Sequence, residues 1–104
     1  MAKEDREDVL GPLSAEELEI ILSSPIKHGE DELNAITLRR PTVEDICRTG
    51  MLMQVDKDSG NISMDLEVGR KYLVRLSALP PSTINQMTPH DFFVAINHLA
   101  RFFQ

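Results

Sequence analysis

The sequence is poor in the residues that most chemistry needs. There is one cysteine, Cys47, in 104 residues, so neither an internal disulfide nor a multi-cysteine zinc site can form. Beside Ile46 on a predicted helix, Cys47 reads as a small core residue. No apolar run approaches the roughly 18 to 20 residues that cross a bilayer. The N-terminus lacks the positive start and apolar centre of a signal peptide, so the chain is expected to stay where it is made, with no membrane partner. Basic charge is scarce as well, with 11 Lys and Arg against 17 Asp and Glu and a net charge of −6. Without a basic stripe to meet phosphates, nucleic acid is not an expected partner.

The five glycines form no phosphate-cradling motif. His28, His90 and His98 do not fall at i,i+4 on one helix face, and no second cysteine joins them. No nucleophile is paired with a base. No catalytic residue, metal site or cofactor is therefore predicted, and the chain is expected to work by binding.

What is present is an ordinary globular composition, 41% hydrophobic and 27% charged, sufficient for one small domain. The acidity is concentrated at the start. Met1 to Glu19 holds seven acids against Lys3 and Arg6, a net of −5, which leaves −1 for the other 85 residues. Residues 1–13 have too little apolar surface to offset ordering entropy and are predicted to be a disordered acidic leader. The domain is placed at residues 14–104.

Its fold class is predicted as α+β, a short N-terminal β-hairpin followed by three to four helices. The runs EIILSSPI and LNAITLRR flank the polar, glycine-containing turn KHGEDE, which is a hairpin signature. Thr42 and Asp45 form the start of a first helix, Val43 to about Met53. A second helix is predicted from Ser63 to Leu79, with Leu66, Leu73 and Leu76 on its apolar face and Arg70, Lys71 and Arg75 opposite. Between the two lies DKDSGNISMDLE, Asp56 to Glu67, which resembles a calcium-binding EF-hand loop. Asp56, Asp58 and Glu67 fit ligand positions 1, 3 and 12. Gly60, however, stands where position 5 needs an oxygen, and Asn61 where position 6 needs glycine. The segment is read as a polar turn with φ > 0 rather than a metal site.

Pro80-Pro81 stops the second helix and starts a short turn. Thr88-Pro89-His90-Asp91 opens the last helix with a capping Thr, Pro at the first helical position and an acid three residues after the cap. Phe92, Ile96, Leu99 and Phe103 form its central stripe, flanked by Ala95 and Phe102 on one side and by Phe93 and Ala100 on the other. This face is wider than a surface helix needs. Either the helix is deeply buried, or Phe93 and Phe102 at the edges contact a partner. Two readings also hold for Arg39 and Arg40: pairing with acids on a partner, or internal ion pairs and a solvated strand end.

The stretches IILSSPIKHGEDELNAITLRRPTVEDI and LVRLSALPPSTINQMTPHDFFVAINHLARFF resemble the small tail assembly chaperones of contractile-tailed, Mu-like bacteriophages. The shared words are Leu-Ser-x-Pro-Ile before the hairpin turn, Leu38-Arg39-Arg40-Pro41-Thr42 with Asp45 after it, Leu79-Pro80-Pro81, and Asp91 just after the last cap. The family often has Thr-Gly where Ser77-Ala78 stands, and the acidic leader is longer than the family leads one to expect. The resemblance implies a non-enzymatic chaperone that coats the aggregation-prone tape measure protein, keeps it soluble and hands it to tail tube subunits. It also implies several copies along one partner; exposed aromatic edges would support self-association into a homo-oligomer, though no oligomeric state is readable from the sequence. Action would be in the cytoplasm of the infected or lysogenic host, with absence from the finished virion. A longer frameshifted product is a family habit compatible with the ending Arg101-Phe102-Phe103-Gln104. The competing reading is a structural tail or head-to-tail component of the virion.

Overall fold

The structure, a computed structural model, describes residues 17–103, and the leader predicted at residues 1–13 lies outside them. An antiparallel hairpin of β1 (Glu17–His28) and β2 (Asp31–Arg39) leads into helix α1 (Val43–Thr49). A second hairpin, β3 (Met53–Val55) and β4 (Ile62–Met64), is followed by α2 (Leu66–Ser77), the single turn α3 (Pro81–Ile84) and α4 (Pro89–Arg101). The α+β class, the N-terminal hairpin and the helices after it are as predicted, whereas Cys47, expected in the core, is exposed on α1.

Alternation builds the first hairpin, because successive strand residues face opposite sides. Ile20, Leu22, Ile36 and Leu38 turn inward, with Ile20 opposite Ile36, while Ile21 is 70% exposed. Gly29, at φ +66°, closes the tight turn between the paired His28 and Asp31, a backbone conformation that side chains resist. Midway along β1 the register breaks: Ile21 pairs with Ala35 but Ile26 with Leu33. Leu22 to Pro25 thus oppose Asn34 alone, and Pro25, which has no amide to donate, sits where a bulge tolerates it.

Helix α2 and the end of α4 close over this sheet. Tyr72, Leu73, Ala95 and Leu99 are fully buried, with Leu76 and Ile96 at 3% or less; each large apolar side chain of this kind contributes about 1.5 to 3 kcal/mol. A Cβ at Gly69 would lie 2.5 Å from Ile96 Cδ1, so glycine lets α2 and α4 approach. The Tyr72 hydroxyl donates to Gly50 O at 2.6 Å, and its ring meets Phe103 edge-on at 5.3 Å.

Two boundaries and one connection differ from the sequence reading. Helix α1 ends at Thr49, because Gly50 at φ +106° turns the chain while its amide bonds Ile46 O at 2.8 Å. Helix α2 starts at Leu66 rather than Ser63, because the Asp65 carboxylate caps the amides of Glu67 and Val68. Ser63 instead faces Gln54 across a strand pair. The polar turn at Asp56–Asn61 therefore joins two strands, not two helices. The turn itself is as read: Gly60 has φ +76°, and Asp56 Oδ1 accepts the Asp58 amide at 2.9 Å.

Candidate protein-binding surface

Asp45 is the third residue of α1 and 1% exposed. A short helix needs its first amides satisfied, and Thr42 and Asp45 do this reciprocally. The Asp45 amide donates to Thr42 Oγ1 at 3.3 Å, and the Thr42 amide to Asp45 Oδ2 at 2.7 Å. Onto the same carboxylate, Arg39 at the end of β2 donates from Nη1 at 2.7 Å and from Nη2 at 2.9 Å. Arg75, from the last turn of α2, adds Nε. The paired Arg39 guanidinium foremost, with Arg75 and Thr42, holds the carboxyl well below the usual carboxylate range against the opposing effect of burial. The same hydrogen bond raises Arg39. Arg39 thus makes an internal ion pair, whereas the neighbouring Arg40 side chain is exposed. Arg75, read from the sequence as part of a polar face, belongs to this corner. Nothing in its spacing announces a partner 30 residues earlier.

Asp91 is the third residue of α4 and 2% exposed. Its amide donates to Thr88 Oγ1 at 3.1 Å, but its carboxylate turns to the β1 bulge. There the Ser23 amide donates to both carboxylate oxygens at 3.0 Å, and the Ser24 amide to Oδ2 at 3.4 Å. Burial pushes this carboxyl up, and the Ser23, Ser24 and Thr88 hydrogen bonds outweigh it, leaving the group below its ordinary value. Nearby, Gln86 locks onto one β1 residue, accepting from Lys27 N and donating to Lys27 O, both at 2.7 Å. Leu79, Pro80 and Pro81 make the corner between α2 and α3. Pro80 caps α3, and the preceding Ala78 is left-handed at φ 61°, a conformation that the glycine common in the resembled family would adopt more cheaply. The shared words of the sequence thus fall largely on two buried carboxylates and the turns that deliver their partners.

The apolar surface lies elsewhere. Between the start of α2 and the start of α4 runs an open groove of about 350 Å³, lined by Leu66, Ile84, Met87, Pro89, Phe92 and Phe93. Arg70 and Asn85 supply its polar lining and hydrogen-bond each other at 3.1 Å. Phe93 is 50% and Leu66 43% exposed, and the Phe92 ring meets Phe93 edge-on at 5.9 Å. Of the two edge aromatics of the last helix, Phe93 stands open in this groove, whereas Phe102 is partly buried against the core. Leu66, placed by periodicity on the core face, and Met87 are groove residues that sequence reasoning did not single out. The β3–β4 hairpin adds Val55 and Ile62, more than 60% exposed.

Among the described residues no helix is long and apolar enough to cross a membrane, and no cluster of three potential metal ligands occurs. The arrangement offers a contact surface for another chain. A family model described as phage tail assembly chaperone proteins, E, or 41 or 14 matches residues 19–104. No curated protein and no solved structure gives a significant match.

Proposed function

The chain belongs to the phage tail assembly chaperone family, and on that premise we propose that it binds the tape measure protein, keeps it soluble and helps recruit tail tube subunits around it. It does so by binding without catalysis, several copies to one partner, in the cytoplasm of the infected or lysogenic bacterium, and is left out of the finished virion. The observation that carries this reading is the open apolar groove between Leu66 and Phe93. A tape measure protein is a long, largely helical chain with apolar stripes. A helix stripe seated in a groove buries apolar side chains at both surfaces, the usual mode of helix recognition. Large exposed aromatics such as Phe93 are the residues that dominate such contacts.

Co-expression with the tape measure protein, followed by pull-down and a solubility assay, tests the reading. The wild-type chain is expected to hold the partner in solution with several copies bound. Phe93→Ser should leave the urea midpoint almost unchanged, within about 0.5 kcal/mol for an exposed site. It should weaken binding about tenfold, the effect of losing about 1.4 kcal/mol at the interface. A Phe93→Ser chain that binds as tightly as wild type removes the groove from the account. Stoichiometric amounts of the chain in purified particles would replace the chaperone role with a structural one.

A further inference from the structure

The β3–β4 hairpin leaves both an apolar side and an edge open. Its ladder runs one residue past the strands at each end: the Asp56 amide donates to Asn61 O and the Asp65 amide to Leu52 O, both at 2.8 Å. Antiparallel pairs bond alternately, so the main-chain groups turned between the strands belong to residues 52, 54 and 56 and to 61, 63 and 65. Those of Ile62 and Met64 point away from β3. They find no other partner among the described residues. Met53 pairs with Met64 and Val55 with Ile62, so alternation puts these four side chains on one side and Gln54 and Ser63 on the other. Met53 packs against the core, whereas Val55 and Ile62 are 63% and 69% exposed. A two-stranded hairpin with so little over it is marginal in water.

The open edge of β4 is complementary to itself. About a two-fold axis at Ser63, Ile62 meets Met64 of a second copy and Met64 meets its Ile62, and pairs of this kind exchange their amide and carbonyl bonds. Along the paired strands no like charges meet, because Ile62, Ser63 and Met64 are uncharged and Asp65 falls opposite Asn61. Strand β3 offers less. The same arrangement about Gln54 would set Leu52, which is 3% exposed, against Asp56, and Met53 is partly buried, whereas every residue of β4 is exposed. We propose that β4 is a self-association edge, through which two copies of this chain pair antiparallel into one four-stranded sheet. Each exposed Ile62 is then flanked by the second copy's Met64, a cross-strand contact that stabilises the sheet. Three residues per copy cannot bury the roughly 1,200 Å² of a stable complex, so the dimer is weak, with a Kd between roughly micromolar and millimolar. The inference stands independently of what the groove binds.

Residues in a non-bonded antiparallel pair lie about 4.5 Å apart at Cα, within disulfide range, so Ser63→Cys in a Cys47→Ser chain should cross-link into a dimer about fivefold faster than Gln54→Cys in the same chain. All three positions are exposed, and the urea midpoint should stay near that of wild type. In sedimentation the mass of the wild-type chain should rise from 11.7 kDa toward twice that value between about 10 µM and 1 mM. Ile62→Lys, which sets a charge on the edge, should weaken this association about tenfold. Equal cross-linking of the two cysteines, faster cross-linking of Gln54→Cys, a mass fixed at the monomer value, or association unchanged by Ile62→Lys overturns the proposal. So does a Ser63→Cys chain that cross-links only to the tape measure protein, because the edge would then accept a strand of that partner.

Discussion

Asp45 and Asp91 occupy the same local position and meet opposite fates. Each stands three residues after a capping threonine, and each is almost wholly removed from water. At Asp45 the reciprocal cap closes, and two guanidinium groups neutralise the charge. At Asp91 the threonine caps the helix, but the carboxylate leaves the cap and is held by main-chain amides of a strand bulge. The local signature therefore decides where a helix begins. The tertiary partner decides what the carboxylate is for. One aspartate joins β2, α1 and α2 through charge, and the other joins β1 to α4 through hydrogen bonds.

If charge is what matters at the first site, Asp45→Asn, which keeps shape and removes charge, should cost about 3 kcal/mol in urea unfolding, as breaking a buried ion pair does. A loss below about 1 kcal/mol, the range of exposed pairs, would erase the distinction between this corner and an ordinary surface bridge. Asp91→Asn keeps one acceptor oxygen but turns an NH2 group toward the serine amides. About 1.5 kcal/mol should be lost, the worth of one hydrogen bond to a charged group; a cost equal to that of Asp45→Asn would break the comparison. The acid limb provides the finest test. The folded Asp45 carboxyl lies far below the unfolded value of about 3.9, so its contribution is complete above that value and drains away as pH falls below it. Between pH 5 and pH 3 wild type should lose about 1 kcal/mol more than Asp45→Asn. Parallel curves would mean that Asp45 titrates in the fold as it does in the unfolded chain.

Much of this architecture was legible beforehand. Alternation in EIILSSPI and LNAITLRR and the glycine between them announced the first hairpin, and Thr88-Pro89-His90-Asp91 announced α4, because both signals are written in neighbouring residues. The β3–β4 hairpin was not, since three-residue strands whose side chains are mostly exposed leave no apolar period to detect. The sequence pattern puts the helix start at Ser63, two residues ahead of the true cap, Asp65, for the same reason. At the candidate site, Phe93 was visible as an edge aromatic, while Leu66 was assigned to the core. Its exposure depends on α2 beginning just there, over a groove whose far wall comes from Met87 and Phe92. Arg75 was out of reach of any local rule, because its partner lies on another helix.

The hold of Asp91 and Gln86 on β1 has a further consequence. With 12 residues, β1 is the longest strand described, and it has only one strand neighbour. A long strand with a free side is a template on which another extended chain can pair, and so a route to aggregation. Here the amides of Ser23, Ser24 and Lys27 and the carbonyl of Lys27 are already engaged by the side chains of Asp91 in α4 and Gln86 in the turn before it. From Ser23 to Lys27 that side of β1 is closed to strand addition without a third strand being built. The longest strand of the fold thus carries its own block against edge-to-edge pairing over its bulged half, supplied by two side chains from the far end of the chain.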